Sequence, residues 1–325
     1  MSVSMSAQVG SASACVSYDA VAVNGSVGTN VASTGYSTLS MQGSSFGSVD
    51  TSALFRVGGT ASAALAWRSD SSVVGAVGAG VGGSRGVGVS VSSQVGSLSG
   101  FVSYDAAGLS GVSASNLAST GGSVVSVTGS AFGATGRTLG ARVGLSACES
   151  VGWVADSCVL CGYSAGARQG VDAAVSVSAQ FGSVSGVVSY DAGVISSVAA
   201  DNVGNTGSAS ISIAGAGFGS SAYSLRARVG PSGAEACEWT SDSVMRCAVS
   251  QGHGGSRLVA VSTGGFAGTA SVAVSYDASA VSNVVQTNAG ATGGAILSLA
   301  GSGMGAHDGS GRARVGGSGG GSSMW

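Results

Sequence analysis

Three of the chain's six cysteines lie close together, and two of them form a C-x-x-C pair. The pair is Cys158 and Cys161, at the spacing of zinc knuckles and of redox-active dithiols. Cys148 precedes them, and Trp153 lies between. A structural zinc site needs further ligands, and both of the chain's two histidines lie far along the sequence. On a strand, residues three apart point to opposite faces, which disfavours a metal shared by Cys158 and Cys161.

This segment belongs to one copy of a repeat that recurs every 86 residues. Four independent anchors share the period, without a net insertion, which indicates a tandem array. The anchors are Tyr18, Tyr104, Tyr190 and Tyr276 of Ser-Tyr-Asp; Arg56, Arg142, Arg228 and Arg314 of Arg-Val-Gly; Trp67, Trp153, Trp239 and Trp325; and Phe46, Phe132 and Phe218, with Met304 in the fourth copy.

The repeat register predicts two disulfides. Cys161 and Cys247 are equivalent, and Cys148 and Cys237 lie in the same loop with an offset of three residues. The first complete copy has neither cysteine. Joint presence and joint loss predict the pairs Cys148–Cys161 and Cys237–Cys247, each stabilising its domain by about 2–4 kcal/mol. Such pairs indicate an oxidising compartment.

Cys15 and Cys158 have no counterpart in the other copies. Three states remain open for each of them: a free thiol, a crosslink to another chain, or a pairing that the pattern does not reveal. Zinc binding or redox chemistry is the less favoured interpretation of Cys158.

One tryptophan per copy at a fixed position allows two interpretations. Trp67, Trp153, Trp239 and Trp325 are candidate stacking platforms for sugar rings. Alternatively each indole fills its own domain core beside the disulfide, as tryptophans do in β-sandwiches, and this is the favoured interpretation.

The repeated Asp of Ser-Tyr-Asp lies where one copy passes to the next. Calcium at such a junction needs several carboxylates, and only one recurs here, so we expect an Asp that forms a turn or pairs with Arg. The Arg of Arg-Val-Gly is expected on a solvated strand face, with Asp70, Asp156 or Asp242 as its candidate partner.

Composition excludes several classes of function. The chain has 325 residues, 59 of them Gly, and a net charge of −2, and its 12 basic residues are all Arg. Nucleic-acid binding is disfavoured because it depends on clustered positive charge. No metal or cofactor site is predicted, and two G-x-S-x-G strings, at 82–86 and 162–166, are expected by chance in so Gly- and Ser-rich a chain. The sequence contains no apolar run long enough for a membrane span, and its N-terminal MSVSMSAQVG is not expected to act as a signal peptide. Asn24 begins the one N-glycosylation pattern.

The local pattern is β throughout. Residues 173–192 alternate Val and Ser, and we expect a hairpin that turns at Gly182-Ser183. About seven short strands per copy, separated by Gly-rich turns, predict a small β-sandwich. A β-solenoid is the competing architecture, although its coils repeat at shorter periods.

The register predicts the domain limits and a chain truncated at both ends. We expect the last strands of one copy in 1–18 and the first part of another in 277–325. Three complete copies are predicted between them, at 19–104, 105–190 and 191–276. The sequence is therefore expected to be a fragment of a longer array.

The copies resemble the IPT/TIG family, the immunoglobulin-like domains of plexin-type receptor ectodomains and some transcription factors. In the third copy the resemblance lies in VISSVAADNVGNTGSASISIAGAGFG, then ARVGPSGAEACEWTSDSVMRC, then VAVSY. It implies an all-β tandem array of Ig-like sandwiches without enzymatic activity. Prolines common at the start of a family domain are absent, as at Ala106-Ala107 and Ala192-Gly193.

Two functions follow as hypotheses. The first is a structural or spacer segment of an extracellular or cell-surface protein, such as a stalk, fibre or wall component, whose contacts are neighbouring repeats and other copies. The second is an adhesin or receptor ectodomain that binds a glycan or protein through exposed loops.

Overall fold

The computed structural model describes residues 2–5, 8–11, 17–49, 52–135, 139–199, 202–286, 288–306 and 311–320. Over these residues the backbone forms β-strands joined by turns, without a helix. Contacts divide the chain into two compact units. One comprises 1–113, 124–161 and 172–185, and the other comprises 114–123, 162–171 and 186–325. The limits that the sequence predicts for the individual copies remain predictions.

The strands follow from alternation of Val with small polar residues. In Arg85–Val91 the side chains of Val87, Val89 and Val91 are buried, while the Gly and Ser between them face outward. A β-strand turns successive side chains to opposite faces, so this sequence has one core face and one solvated face.

The chain begins with the hairpin β1 Ser2–Met5 and β2 Gln8–Ser11. Nine strands follow in the described part of the first complete copy: β3 Ala22–Val27, β4 Asn30–Val31, β5 Thr38–Ser44, β6 Leu54–Val57, β7 Thr60–Ala61, β8 Ala64–Ser69, β9 Ser72–Ala76, β10 Arg85–Val91 and β11 Gln94–Tyr104. They form a four-stranded sheet, β3-β5-β9-β8, and a five-stranded sheet, β4-β11-β10-β6-β7.

The two sheets of the first copy enclose one core. Leu39, Met41 and Val73 from the four-stranded sheet are buried, and so are Phe55 and Val89 from the five-stranded sheet. Burial of both inner faces against each other is the packing of a β-sandwich.

The later copies repeat this series. The second copy contributes β12 Gly108–Val112, β13 Asn116–Leu117, β14 Val124–Ser130, β15 Leu139–Val143, β16 Ser146–Ala147, β17 Ser150–Ala155, β18 Cys158–Gly162, β19 Val171–Val177 and β20 Gln180–Tyr190. The third contributes β21 Val194–Ala199, β22 Asn202–Val203, β23 Ala209–Ala216, β24 Arg226–Val229, β25 Ser232–Gly233, β26 Ala236–Ser241, β27 Val244–Val249, β28 Arg257–Thr263 and β29 Phe266–Tyr276.

Sheet orders in the two compact units match those of the first copy. The first unit contains the sheet β12-β14-β18-β17 of the second copy. The second unit contains both sheets of the third copy, β21-β23-β27-β26 and β22-β29-β28-β24-β25, which enclose a core of their own. The described chain ends with two paired sets, β30 Ala280–Val284 with β31 Leu299–Ser302 and β32 Arg314–Val315 with β33 Ser318–Gly319.

The all-β, Ig-like tandem fold predicted from the sequence is confirmed, but its strands are more numerous. Each complete copy has nine strands in its described residues, whereas the sequence predicts about seven. The additional ones are as short as β4 and β7, with two residues each. Two residues are too few to show a recognisable alternation of apolar and polar side chains.

The hairpin of β19 and β20 turns four residues earlier than predicted. Strand β19 ends at Val177 and β20 begins at Gln180, so the turn lies at Ser178-Ala179, not at Gly182-Ser183. Both turn residues have positive φ, 47° and 70°, as a two-residue type I′ turn requires. Gly182 instead lies within β20, where a Cβ would approach the Ala107 carbonyl oxygen to 2.3 Å. This glycine therefore permits close backbone approach.

Replacing Gly182 tests this assignment. We expect Gly182→Ala to destabilise the second copy by about 1–3 kcal/mol because the backbone at Ala107 must move. Gly88→Ala in β10 is the control, since its Cβ would lie 3.8 Å from the nearest atom, an ordinary contact. Hydrogen exchange in urea reports each copy separately. Unchanged protection in Gly182→Ala would show that the close approach is not there.

Candidate functional site

Four cysteines form two disulfides, one in the second copy and one in the third. Cys148 lies between β16 and β17, and its Cα is 5.5 Å from that of Cys161 in β18. Cys237 and Cys247 are directly opposed on β26 and β27, with Cα atoms 4.1 Å apart. In the second copy the bridge to β18 therefore starts from the loop between β16 and β17, whereas in the third copy the bridge to β27 starts from the adjacent strand β26. This difference explains the offset of three residues. Cys161 and Cys247 are both buried, so each bond is anchored in a core.

The first copy fills the same volume with an aromatic ring. Ser62 and Gly75 occupy the cysteine positions, and a Cβ on Gly75 would lie 2.3 Å from the ring of Phe55. The residues equivalent to Phe55 in the other copies are Ala141 and Ala227. At these two positions the first copy thus has Phe and Gly, where the second and third copies have Ala and Cys. The sequence contains this signal, but it becomes meaningful only once the two positions are known to touch.

Two further candidate residues, Cys158 and Asn24, lie in described strands. Cys158 in β18 is a half-buried free thiol. Cys15 and Trp325 lie outside the described residues. Asn24 is exposed in β3, at a register shift between Val23 and Gly25.

The three described tryptophans are half-buried. Trp67 and Trp239 pack against the cores of the first and third copies, and their Nε1 atoms are buried without a protein hydrogen-bond partner. The Nε1 of Trp153 donates a hydrogen bond to the Gly133 carbonyl oxygen over 3.1 Å. Partial burial leaves less of each indole for stacking with a ligand.

The tyrosine of Ser-Tyr-Asp closes each copy. Its ring lies against a glycine, and its hydroxyl donates to a backbone carbonyl in the loop that follows β9, β18 or β27. The donors Tyr104, Tyr190 and Tyr276 reach Gly78, Ser164 and Ser250 over 3.1, 3.1 and 3.0 Å. A Cβ on Gly80, Gly166 or Gly252 would lie 2.4–2.5 Å from the ring.

Burial raises the pKa of all three phenols above the ordinary value. The nearby Tyr163 and Tyr223 also raise the pKa of Tyr190. The positive charge of Arg85 partly offsets the effect of burial on the pKa of Tyr104. The equivalent residue Tyr18 is 90% exposed.

The aspartate of Ser-Tyr-Asp is held by asparagine, not by arginine. Asp105 accepts a hydrogen bond of 2.5 Å from the Asn30 side chain, and its own backbone N–H donates to the Val31 carbonyl. The same contacts recur at Asp191 with Asn116 and at Asp277 with Asn202. These aspartates therefore stabilise the end of each copy.

The candidate pairing of the Arg-Val-Gly arginine with aspartate was wrong for the two arginines whose hydrogen bonds the structure describes. Arg142 donates through Nη2 to the Leu145 carbonyl over 2.9 Å, and Arg228 to the Pro231 carbonyl over 3.1 Å. Each guanidinium thus closes the short turn that follows its own strand.

Asp70, Asp156 and Asp242 bind backbone amides of the Phe-Gly turn. Asp156 accepts from the N–H groups of Gly133 over 2.8 Å and Ala131 over 3.3 Å. Asp242 accepts from Gly219 and Gly217 in the same way, and Asp70 from Gly47 over 2.9 Å. The Phe of this turn is fully buried in all three copies. The carboxylate therefore fixes the turn that carries a core side chain.

Two of these carboxylates also bind a serine of the preceding copy. Ser33 donates to Asp156 over 2.7 Å, and Ser119 donates to Asp242 over 3.0 Å. The first of these contacts is reinforced by Gln180, whose Oε1 accepts from the Gly82 N–H and whose Nε2 donates to the Tyr104 carbonyl, over 3.1 and 3.0 Å. We call Ser33, Gly82, Tyr104, Asp156 and Gln180 the first joint.

Across the described ranges, no three His, Cys, Asp or Glu side chains form a group able to hold a metal ion. Nor do those ranges contain a helix long and apolar enough to cross a membrane.

The model of the IPT/TIG domain family matches the chain three times, at residues 25–104, 109–190 and 194–277. The matches cover most of the chain, and the chain belongs to this family. The resemblance inferred from the sequence is thereby confirmed. No curated protein sequence matches the chain significantly.

Solved structures with a similar fold include extracellular and surface proteins. The plexin A4 extracellular region is 14% identical, with 74% of this chain and 22% of that one covered and a TM-score of 0.28. The surface glycan-binding protein PbSGBP-B of Prevotella bryantii is 15% identical, with coverage of 49% and 36% and a TM-score of 0.34. SGBP-B from a xyloglucan utilization locus of Bacteroides uniformis is 10% identical, with coverage of 76% and 95% and a TM-score of 0.26. The chain thus spans only about a fifth of the plexin structure.

The exchange of an aromatic ring for a disulfide can be tested by transplanting it. We expect Phe55→Ala to destabilise the first copy by about 3–5 kcal/mol because it leaves a cavity in the core. Adding Ser62→Cys and Gly75→Cys to that variant should restore much of the loss, as a disulfide does where the ring is absent. Thermal unfolding under oxidising and reducing conditions measures both effects. No gain from the added cysteines would contradict the exchange.

The buried tyrosines predict a loss of stability at alkaline pH. The folded chain keeps the neutral phenol to a higher pH than the unfolded chain, so the stabilisation is complete below the unfolded pKa of about 10 and is lost as pH rises above it. Urea unfolding between pH 8 and 11 measures this. Replacing Tyr104, Tyr190 and Tyr276 with Phe should flatten the dependence, whereas Tyr18→Phe should not. An equal slope in both variants would exclude these phenols as its cause.

Proposed function

We propose that the chain is a non-enzymatic structural segment of an extracellular or cell-surface protein, in which successive IPT/TIG domains act as a spacer. The observation that carries the proposal is the contact of Ser33 with Asp156, repeated 86 residues later by Ser119 with Asp242. A spacer needs domains that hold their neighbours at a set orientation.

The first joint is suited to holding two copies at a set orientation because three hydrogen bonds of 2.7–3.1 Å link the same two copies. Gln180 makes two hydrogen bonds to the end of the preceding copy, and Asp156 makes one while it also holds its own Phe-Gly turn. A side chain that is already fixed by its own domain loses little further conformational entropy when it binds the next. Arg85 adds a hydrogen bond from Nη2 to Ser178 over 3.0 Å. These contacts stiffen the junction between copies, where the prolines common at the start of a family domain are absent.

The disulfides support the proposed location. Cys148–Cys161 and Cys237–Cys247 close short loops, and one cysteine of each pair is buried. Disulfides form and persist in oxidising compartments and are rare in cytosolic proteins.

Stiffness of the first joint is the direct test. Spin labels introduced as non-natural amino acids at the exposed residues Ala66 and Thr128 report the distance between the first two copies. We expect a narrow distance distribution in the wild-type chain, and a wider one in Ser33→Ala/Gln180→Ala, because three hydrogen bonds across the joint are lost.

Gln94→Ala is the matched control. Gln94 is the equivalent of Gln180, but its hydrogen bonds go to Tyr18 and Val21. It should leave the distribution unchanged. A distribution that is already wide in the wild-type chain would overturn the spacer proposal. So would glycan binding that is lost on replacing Trp153 and Trp239 while the chain remains folded.

A further inference from the structure

The outer face of the sheet β12-β14-β18-β17 carries no charged side chain. Three of its outward residues are polar, Ser126 and Thr128 of β14 and Ser150 of β17. The other outward residues of these strands and of β18 are Val124, Gly152, Val154, Cys158 and Leu160. Val124 is 59% exposed, Val154 51% and Leu160 38%. We call these five residues the neutral face.

The equivalent faces of the other two copies carry charge. In the first copy, the five positions hold Thr38, Ala66, Arg68, Ser72 and Val74. In the third copy, they hold Ser210, Glu238, Thr240, Val244 and Arg246, and Glu238 is the cross-strand neighbour of Arg246. Among the three complete copies, only the second therefore has no charge at these positions. This difference between otherwise similar domains indicates a separate role.

We propose that the neutral face is the contact between two copies of this chain, related by a twofold axis. Such a contact places the same patch on both partners, so a charged residue near its centre would oppose its own copy. Arg68 would do so in the first copy. The neutral face meets itself without like charges and removes Val154 and Leu160 from water.

The size of the face sets the strength of this contact. Six residues along β17 and three strands across give roughly 20 Å by 14 Å, or on the order of 600 Å² for both partners. A stable interface buries about 1,200–2,000 Å². The non-covalent dimer is therefore weak, and needs a further bond to persist in dilute solution.

Cys158 supplies that bond. It lies in the neutral face, and all other cysteines in the described part of the chain are already in disulfides. Two Cys158 thiols and one molecule of oxidised glutathione give a Cys158–Cys158 disulfide and two molecules of reduced glutathione. The two electrons pass to glutathione, and each protein thiol loses its proton by exchange.

The test uses the full chain in a glutathione buffer that contains the oxidised form. We expect a dimer on non-reducing electrophoresis, with mass spectrometry placing the link between two Cys158 residues. Val154→Arg introduces the charge that the first copy carries at this position, and should lower the dimer yield at least about tenfold because two arginines then face each other.

Thr240→Arg is the matched control, since it places the same residue at the equivalent position of the third copy. It should leave the yield unchanged. Sedimentation of Cys158→Ser at high concentration should still show weak self-association, which Val154→Arg added to it removes. Equal yields in Val154→Arg and Thr240→Arg would overturn the proposal. A bond from Cys158 to Cys15, or no dimer at all, would do so too.

Discussion

The carboxylate of Asp156 joins two parts of the chain that are 123 residues apart in sequence. It accepts amide hydrogens from the turn that buries Phe132, and it accepts the hydroxyl hydrogen of Ser33 from the preceding copy. The conformation of the turn within the domain and the contact with the preceding domain thus both involve the same carboxylate. A carboxylate is suited to this because it offers several lone pairs and forms stronger hydrogen bonds to N–H and O–H than a neutral acceptor does. Asp242 makes the same two connections one period later.

Within each sandwich, the second constraint is volume. The space beside β9 is filled by the ring of Phe55, and the corresponding space beside β18 and β27 is filled by a disulfide whose inner cysteine is buried. Protein interiors are close-packed, so the loss of either filling must be compensated at a neighbouring position. The glycine at position 75 is therefore tied to Phe55 and cannot be read as a generic loop residue. Copies of one fold can diverge in sequence here without diverging in shape.

Much of the fold could be predicted because it depends on local alternation and on a strict period. The Val and Ser alternation predicts strands, and recurrence of Ser-Tyr-Asp predicts tandem domains of the IPT/TIG type, which the family match confirms. The turn at Ser178-Ala179 could not be predicted, because Gly182 has the sequence signature of a turn residue and its close approach to Ala107 is visible only in the structure. For Asp156, the sequence suggests arginine as the partner because charge is visible in sequence. The backbone amides that actually bind it are common to all residues, and only the fold selects them.

The low charge of the chain is consistent with this way of joining domains. Most contacts in the first joint are made by Ser33, Gln180, backbone groups and a single carboxylate, and Arg85 adds one hydrogen bond from a charged donor. Neutral donors cost less to remove from water than ammonium or guanidinium groups, and their hydrogen bonds depend less on salt. Repeated charged surfaces would instead repel or attract one another along an array and between arrays. A chain with few charges and many small polar residues can therefore align successive domains through directed hydrogen bonds, and can reserve a charge-free face such as that of β17 and β18 for contact with another chain.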